Sequence, residues 1–188
     1  MTRARTLLTG LVVAVLGFAT WAALSPAQAD DQAASNFART TIDLGVFVSD
    51  VDKSAKFYTD AIGFKEIDGF MVPGDFCKEA GLTDNKDLSI RVFVLGEDES
   101  ATKLKLMTVP GVETKKGANE YVHSQHGFRY LTLMINDTTA ALKRLEKLGV
   151  KPIAKGPVGL PKGLPQGVYL TVVRDPDGNL VELVGPKK

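Results

Sequence analysis

The sequence predicts an α+β fold built from two copies of a strand–helix–strand–strand–strand module. Three observations lead there. Asp50 and Asp137 each stand between an alternating apolar stretch and a segment of helical periodicity, 87 residues apart (137 − 50). Each helical segment ends on a glycine, Gly63 or Gly149, and is followed by further strand-like runs. A self-similar spacing of this length, present twice, indicates a duplicated module and not a solenoid.

The elements follow in order. Ile42 to Val48 alternates as a strand does, with Leu44, Val46 and Val48 on one face and Asp43, Gly45 and Phe47 on the other. Asp50 is an N-cap residue for a helix from Val51 to Ala61, where Ala55, Phe57 (or Tyr58) and Ile62 form an apolar stripe before Gly63. A strand is expected over Phe64 to Val72, then a polar excursion from Pro73 to Lys86 with a short helix near Phe76 to Ala80. Leu88 to Leu95 and Lys103 to Val109 are strands, closed by Pro110-Gly111. In the second copy, Phe128 to Ile135 is a strand, and Thr138 to Leu148 a helix carrying Ala141, Leu142, Leu145 and Leu148. Val150 to Ala154 is expected as a short strand and Gly156 to Gly167, rich in Gly and Pro, as a loop. Gly167 to Arg174 and Asn179 to Val184 are strands joined by the tight turn Asp175-Pro176-Asp177-Gly178.

Ahead of this lies an export signal. Arg3 and Arg5 precede an apolar run from Leu7 to about Leu24, and Ala27-Gln28-Ala29 is the small-residue pattern at which signal peptidase cuts. The organisation expected is a signal peptide over 1–29, a flexible leader over 30–40 and one domain over 41–186, with modules at about 41–110 and 127–186. An uncleaved membrane anchor is the alternative for a run of this length. Cleavage after Ala29 leaves 21 basic against 22 acidic residues. A balance so near neutrality argues against nucleic acid or an anionic membrane surface as a partner. Cys77, the sole cysteine, can form no intramolecular disulfide and has no histidine near it in sequence, so it reads as a small buried hydrophobe.

Two segments carry a family likeness. Val48-Ser49-Asp50-Val51-Asp52-Lys53-Ser54-Ala55-Lys56-Phe57-Tyr58 with Ile62-Gly63-Phe64 resembles the first-module signature of the vicinal oxygen chelate superfamily, the glyoxalase, bleomycin-resistance and dioxygenase group. Asp175-Pro176-Asp177-Gly178-Asn179-Leu180-Val181-Glu182-Leu183 resembles its closing hairpin, so the likeness spans roughly Thr41 to Val184. The resemblance implies two βαβββ modules, each curling into half of an open barrel, with a ligand cleft between them that often holds a divalent metal. It also implies four cleft positions, on the first and last strands of each module: Asp43, Lys105, Tyr130 and Glu182.

Those residues depart from a metalloenzyme set. Asp43 and Glu182 are ordinary ligands of a divalent cation. A tyrosine phenol titrates near pH ~10, and a lysine ammonium carries only donors and a positive charge. Two arrangements follow. Lys105 could stand where a cation would, bridging Asp43 and Glu182 while Tyr130 donates a hydrogen bond, or it could extend to solvent so that the four never meet. Should a metal bind, Asp43 and Glu182 would hold it, with Tyr130 or His126. His123 and His126 otherwise read as solvated loop residues.

Two functions fit this reading. One is a cofactor-free protein that binds a small molecule in the cleft, with Phe47, Met107 and Met134 as apolar contacts. The other is a glyoxalase-type lyase or isomerase, or a dioxygenase, in which Glu182 is the catalytic residue, as ligand or general base. A chain with both modules can complete its clefts alone as a monomer, with a homodimer as the alternative.

Overall fold

The structure is a computed structural model that describes residues 38, 39, 41–98 and 100–188. The chain divides after Thr40, and the two modules both belong to the unit Thr41–Lys188. The expected signal peptide and nearly all of the leader lie outside the described residues. Among the described residues no helix is long and apolar enough to cross a membrane.

The first module runs β1 (Leu44–Phe47), α1 (Val51–Lys56), β2 (Lys65–Val72), α2 (Gly74–Glu79), β3 (Leu88–Val94) and β4 (Lys103–Thr108). The second runs β5 (Tyr130–Met134), α3 (Thr138–Lys147), β6 (Val158–Gly159), β7 (Val168–Arg174) and β8 (Leu180–Pro186). Each folds into a four-stranded mixed sheet of the same topology, β1-β4-β3-β2 and β5-β8-β7-β6. In both, the first strand lies parallel to the last and the other pairings are antiparallel. The duplicated βαβββ architecture is therefore present, as two open sheets and no closed barrel.

Both caps form as their residue types require. Asp50 accepts from Lys53 N at 3.0 Å, and Asp137 accepts from Thr139 N and Ala140 N at 2.9 and 3.2 Å. The first helix is not α-helical throughout. After Lys56 it widens into a π-helix, Phe57–Ile62, which ends at Gly63 with φ 106°. The wider turn carries Phe57, Tyr58, Ala61 and Ile62 into the interior together, so the apolar stripe uses both aromatic residues. Their rings meet edge to face, with centroids 5.1 Å apart.

Strand alternation then sorts the core. Leu104 and Leu106 of β4 and Phe93 of β3 face α1 and are at most 2 % exposed. They join Ala141 and Leu145 of α3, Leu133, Val173, Val181 and Leu183 in one cluster that spans both modules. Each Leu, Val or Phe side chain among them contributes about 1.5–3 kcal/mol on burial. A smaller cluster lies on the opposite face of the first sheet, where Cys77 of α2 packs with Leu88, Ile90, Val92 and Val109. Cys77 is free and fully buried, the environment of a packing residue.

One expected strand is displaced. Val150 to Ala154 is not a strand: only Ile153 N reaches β7, at Val172 O, and Pro152 next to it has no N–H to offer. The edge strand falls instead inside the expected loop. Val158 and Gly159 pair with Leu170 and Tyr169, and Leu160 N bonds to Val168 O.

Candidate functional site

Alternation also decides which side chains occupy the faces turned away from α1 and α3. Parallel pairing of β1 with β4 sets Gly45 beside Lys105 and Phe47 beside Met107. Gly45 has a local reason: a Cβ there would stand 2.9 Å from Met107 Cε, so its absence lets the methionine lie over the strand. Asp43, just before β1, accepts the backbone N–H of Lys103 at 3.4 Å on one oxygen and the Lys105 ammonium at 3.0 Å on the other. The pair is sheltered, the Asp43 side chain being 16 % and that of Lys105 29 % exposed.

In the second sheet, Tyr130, Thr132 and Met134 of β5 lie beside Leu180, Glu182 and Val184 of β8. Thr132 Oγ1 donates to Glu182 Oε2 at 2.7 Å. Tyr130 and Met134 are 54 % and 76 % exposed, and Phe47 of the first sheet is 38 % exposed. The open faces thus carry apolar surface around two polar pairs, Asp43–Lys105 and Thr132–Glu182. The bridge of Lys105 to both carboxylates is not formed: its ion pair is with Asp43, and no described ion pair joins it to Glu182. Thr132 is a polar partner outside the four expected positions, although it follows from the same two-residue alternation as Tyr130.

The loop before β5 holds its own carbonyls. Arg129 donates to the oxygens of Ala118, Tyr121 and Val122, and Arg174 to those of Asn119, Glu120 and Gly178. His123 stacks on Tyr121 with ring centroids 5.6 Å apart, and both histidines are exposed. Neither shares a group of three or more His, Cys, Asp or Glu side chains suited to a metal among the described residues.

The modules are joined by polar links as well as by the shared core. Tyr58 Oη donates to Asp175 Oδ2 at 3.0 Å in a buried contact, and Asp175 also accepts from Asp177 N, Asn179 N and Asn179 Nδ2. Burial, then the charge of Asp175, raises the Tyr58 phenol far above its ordinary range. Arg144 of α3 donates to the carbonyls of Ala61 and Ile62, both at 2.8 Å, capping the π-helix from the other module. Ser49 donates to Asp177 from its backbone and its hydroxyl. The turn at Asp175 is therefore also a docking point, a role its local sequence does not reveal.

A duplicated βαβββ fold with polar groups on the open faces of its sheets defines the class. The chain belongs to the Glyoxalase/Bleomycin resistance protein/Dioxygenase superfamily, whose profile matches residues 38–183. It is similar to a lactoylglutathione lyase of Pseudomonas putida, 28 % identical over 153 residues, covering 74 % of this chain and 80 % of the relative. Among solved structures it resembles a glyoxalase family protein of Bacillus cereus, with TM-score 0.62 and 18 % identity, over 81 % of this chain and 96 % of that one. The trypanothione-dependent glyoxalase I of Leishmania major aligns with TM-score 0.56 and 23 % identity, over 78 % and 86 % of the two chains. These two likenesses establish the fold.

Many members of this superfamily use a divalent metal; here one of the two carboxylates at the expected positions, Asp43, is already paired with the Lys105 ammonium. A metal at the first-sheet position would have to displace the Lys105 ammonium from Asp43 while lying beside its charge. Tyr130 adds a phenol, and Glu182 is engaged by Thr132.

Proposed function

We propose that this chain binds a small organic molecule on the open faces of its two sheets, without the divalent cation common in its family. The observation that carries this reading is the 3.0 Å ion pair of Lys105 with Asp43. An ammonium supplies there the positive charge that a carboxylate on this face requires. Phe47, Tyr130 and Met134 offer the ligand exposed apolar surface, and Thr132–Glu182 offers it a hydrogen-bonding pair. The N-terminal pattern of Arg3, Arg5, the apolar run and Ala27-Gln28-Ala29 supports action outside the cytoplasm after cleavage near Ala29; a chain that carries both modules suits a monomer or a homodimer.

A second reading is favoured by one finding, the likeness to a lactoylglutathione lyase. In it the chain is a metal-dependent lyase or isomerase of glyoxalase type, or a dioxygenase. Asp43 and Glu182, with Tyr130 or His126, would hold the metal, and Glu182 would be ligand or general base.

Metal content separates the two. Protein purified without a His-tag or chelator is assayed by plasma mass spectrometry, and the first reading expects below about a tenth of an equivalent, since a tight site retains its metal. A stoichiometric divalent metal overturns it in favour of the second. Lys105→Met provides the complementary readout. Stranding the sheltered Asp43 carboxylate should lower stability by about 1–2 kcal/mol, between the values for exposed and buried pairs. Unchanged stability would show that the ion pair carries no such role.

A further inference from the structure

A groove of about 480 Å³ lies on the helical side of the fold, between α1 and the segment that follows α3. It is separate from the open faces, because α1 packs on the opposite side of the first sheet from Lys105 and Met107. The buried residues Phe57 and Ala61 form its floor, while Leu148 and Ile153 line it with 43 % of their surface still exposed. Its size falls within the roughly 300–1,000 Å³ typical of small-ligand pockets.

The polar residues around this apolar floor are unbalanced. Lys53, Lys56 and Lys151 line the groove, and none forms an ion pair with a described residue. Of the two carboxylates there, Asp175 is only 5 % exposed and is engaged by Tyr58 and Asn179. Asp60 is left, with a hydrogen bond from its neighbour Thr59. The guanidinium of Arg174 is occupied by loop carbonyls. Three ammonium groups without an ion pair among the described residues, against one available carboxylate over a hydrophobic floor, attract an anion that carries an apolar body.

We propose that this groove is a second binding site, for an anionic amphiphile of the medium-chain carboxylate type. The tail displaces water from Phe57, Leu148 and Ile153, and the carboxylate lies among the lysines. Each lysine is an exposed, flexible charge, so the site favours negative ligands as a group and weakens as salt rises.

The test is calorimetric titration of the protein, as the cell produces it, with decanoate, alongside decanol, which has the same tail and no charge. Amide chemical shifts in labelled protein locate the contact. Expected are saturable binding of decanoate, shifts centred on residues 148–151 and about tenfold weaker binding of decanol, the loss of one favourable charge interaction. The double variant Lys56→Glu/Lys151→Glu, both at the surface, should weaken decanoate at least about tenfold, and Lys105→Met should leave it unchanged. Absence of binding at millimolar decanoate, equal binding of decanol, or indifference to the double variant would each overturn the proposal. Loss of binding in Lys105→Met would overturn it as well, by placing decanoate on the open face. Because the outcome does not depend on metal content, this proposal and the function proposed above stand or fall separately.

Discussion

Replacing Tyr58 with Phe removes one hydroxyl at the junction of the modules and little else. Tyr58 is 1 % exposed and Asp175 is 5 % exposed, and their contact is 3.0 Å. A hydrogen bond to a charged group is worth about 1.5–3 kcal/mol. Asp175 keeps three donors in the variant, Asp177 N, Asn179 N and Asn179 Nδ2, so the lower end applies. The expected loss at pH ~8 is about 1.5–2 kcal/mol, or roughly 3–8 °C in Tm for a domain of this size. The deficit should then shrink in alkali. In the folded chain the phenol is held above its ordinary range by burial and by Asp175, whereas in the unfolded chain it titrates near pH ~10. Above that pH the unfolded parent releases a proton that the folded parent retains, so its stability falls by about 1.4 kcal/mol per pH unit. Tyr58→Phe has no such proton to release, and the two proteins should become equally stable near pH ~11–11.5. Urea unfolding from pH ~8 upward measures this by far-ultraviolet circular dichroism. The single tryptophan, Trp21, lies outside the described residues. A deficit that stays constant with pH, or no deficit at the starting pH, would refute the assignment of a buried, charge-assisted bond.

Two further substitutions probe the same framework by urea denaturation. Arg144→Lys should cost about 1–2 kcal/mol, because an ammonium does not reproduce the fork that reaches Ala61 O and Ile62 O together; a neutral result would show that these carbonyls are satisfied without Arg144. Gly185→Ala should cost about 3 kcal/mol or prevent folding, because the added Cβ would lie 2.0 Å from the backbone oxygen of Ile135, which cannot yield as a side chain can. A folded Gly185→Ala protein of parental stability would contradict the close approach of β8 to the end of β5.

Where a local rule governs the outcome, the amino-acid pattern was sufficient. Asp50 and Asp137 cap because a carboxylate ahead of a helix has few better partners than the free N–H groups there, and Gly63 ends the helix because φ 106° excludes most other residues. Alternation placed Asp43 on the face of Lys105, and Tyr130 on that of Glu182. It could not decide which of them touch. Lys105 chose the carboxylate two strand positions before its partner Gly45, while Glu182 found Thr132 across the β5–β8 pair. The segment after α3 departs from expectation for a different reason. Val150 and Ile153 are apolar, but Pro152 between them has no N–H to donate, and regular pairing begins only where Val158 and Gly159 come alongside β7. The Tyr58–Asp175 contact joins residues 117 positions apart, a separation that no local window contains.

Duplication has left two open faces of unequal character, and that inequality bears on how a ligand would be held. In the first module α2 lays Cys77 against Leu88, Ile90 and Val92, so much of the apolar surface is already used, and Asp43–Lys105 is the sheltered polar feature beside it. Among the described residues no comparable helix follows α3, and the second module leaves Tyr130 and Met134 largely exposed. Under the proposed function, hydrophobic contact therefore comes mainly from β5 and charge discrimination mainly from β1 and β4. A ligand that meets both needs an apolar part and a polar group, and the polar group cannot simply neutralise Lys105, because Asp43 already does so. Recognition by hydrogen bonds to an existing ion pair tolerates neutral polar groups that a bare cation site would bind weakly. The lysine-lined groove beside α1 sets three ammonium groups against one available carboxylate, Asp60, which is why the two sites are expected to select ligands of different charge.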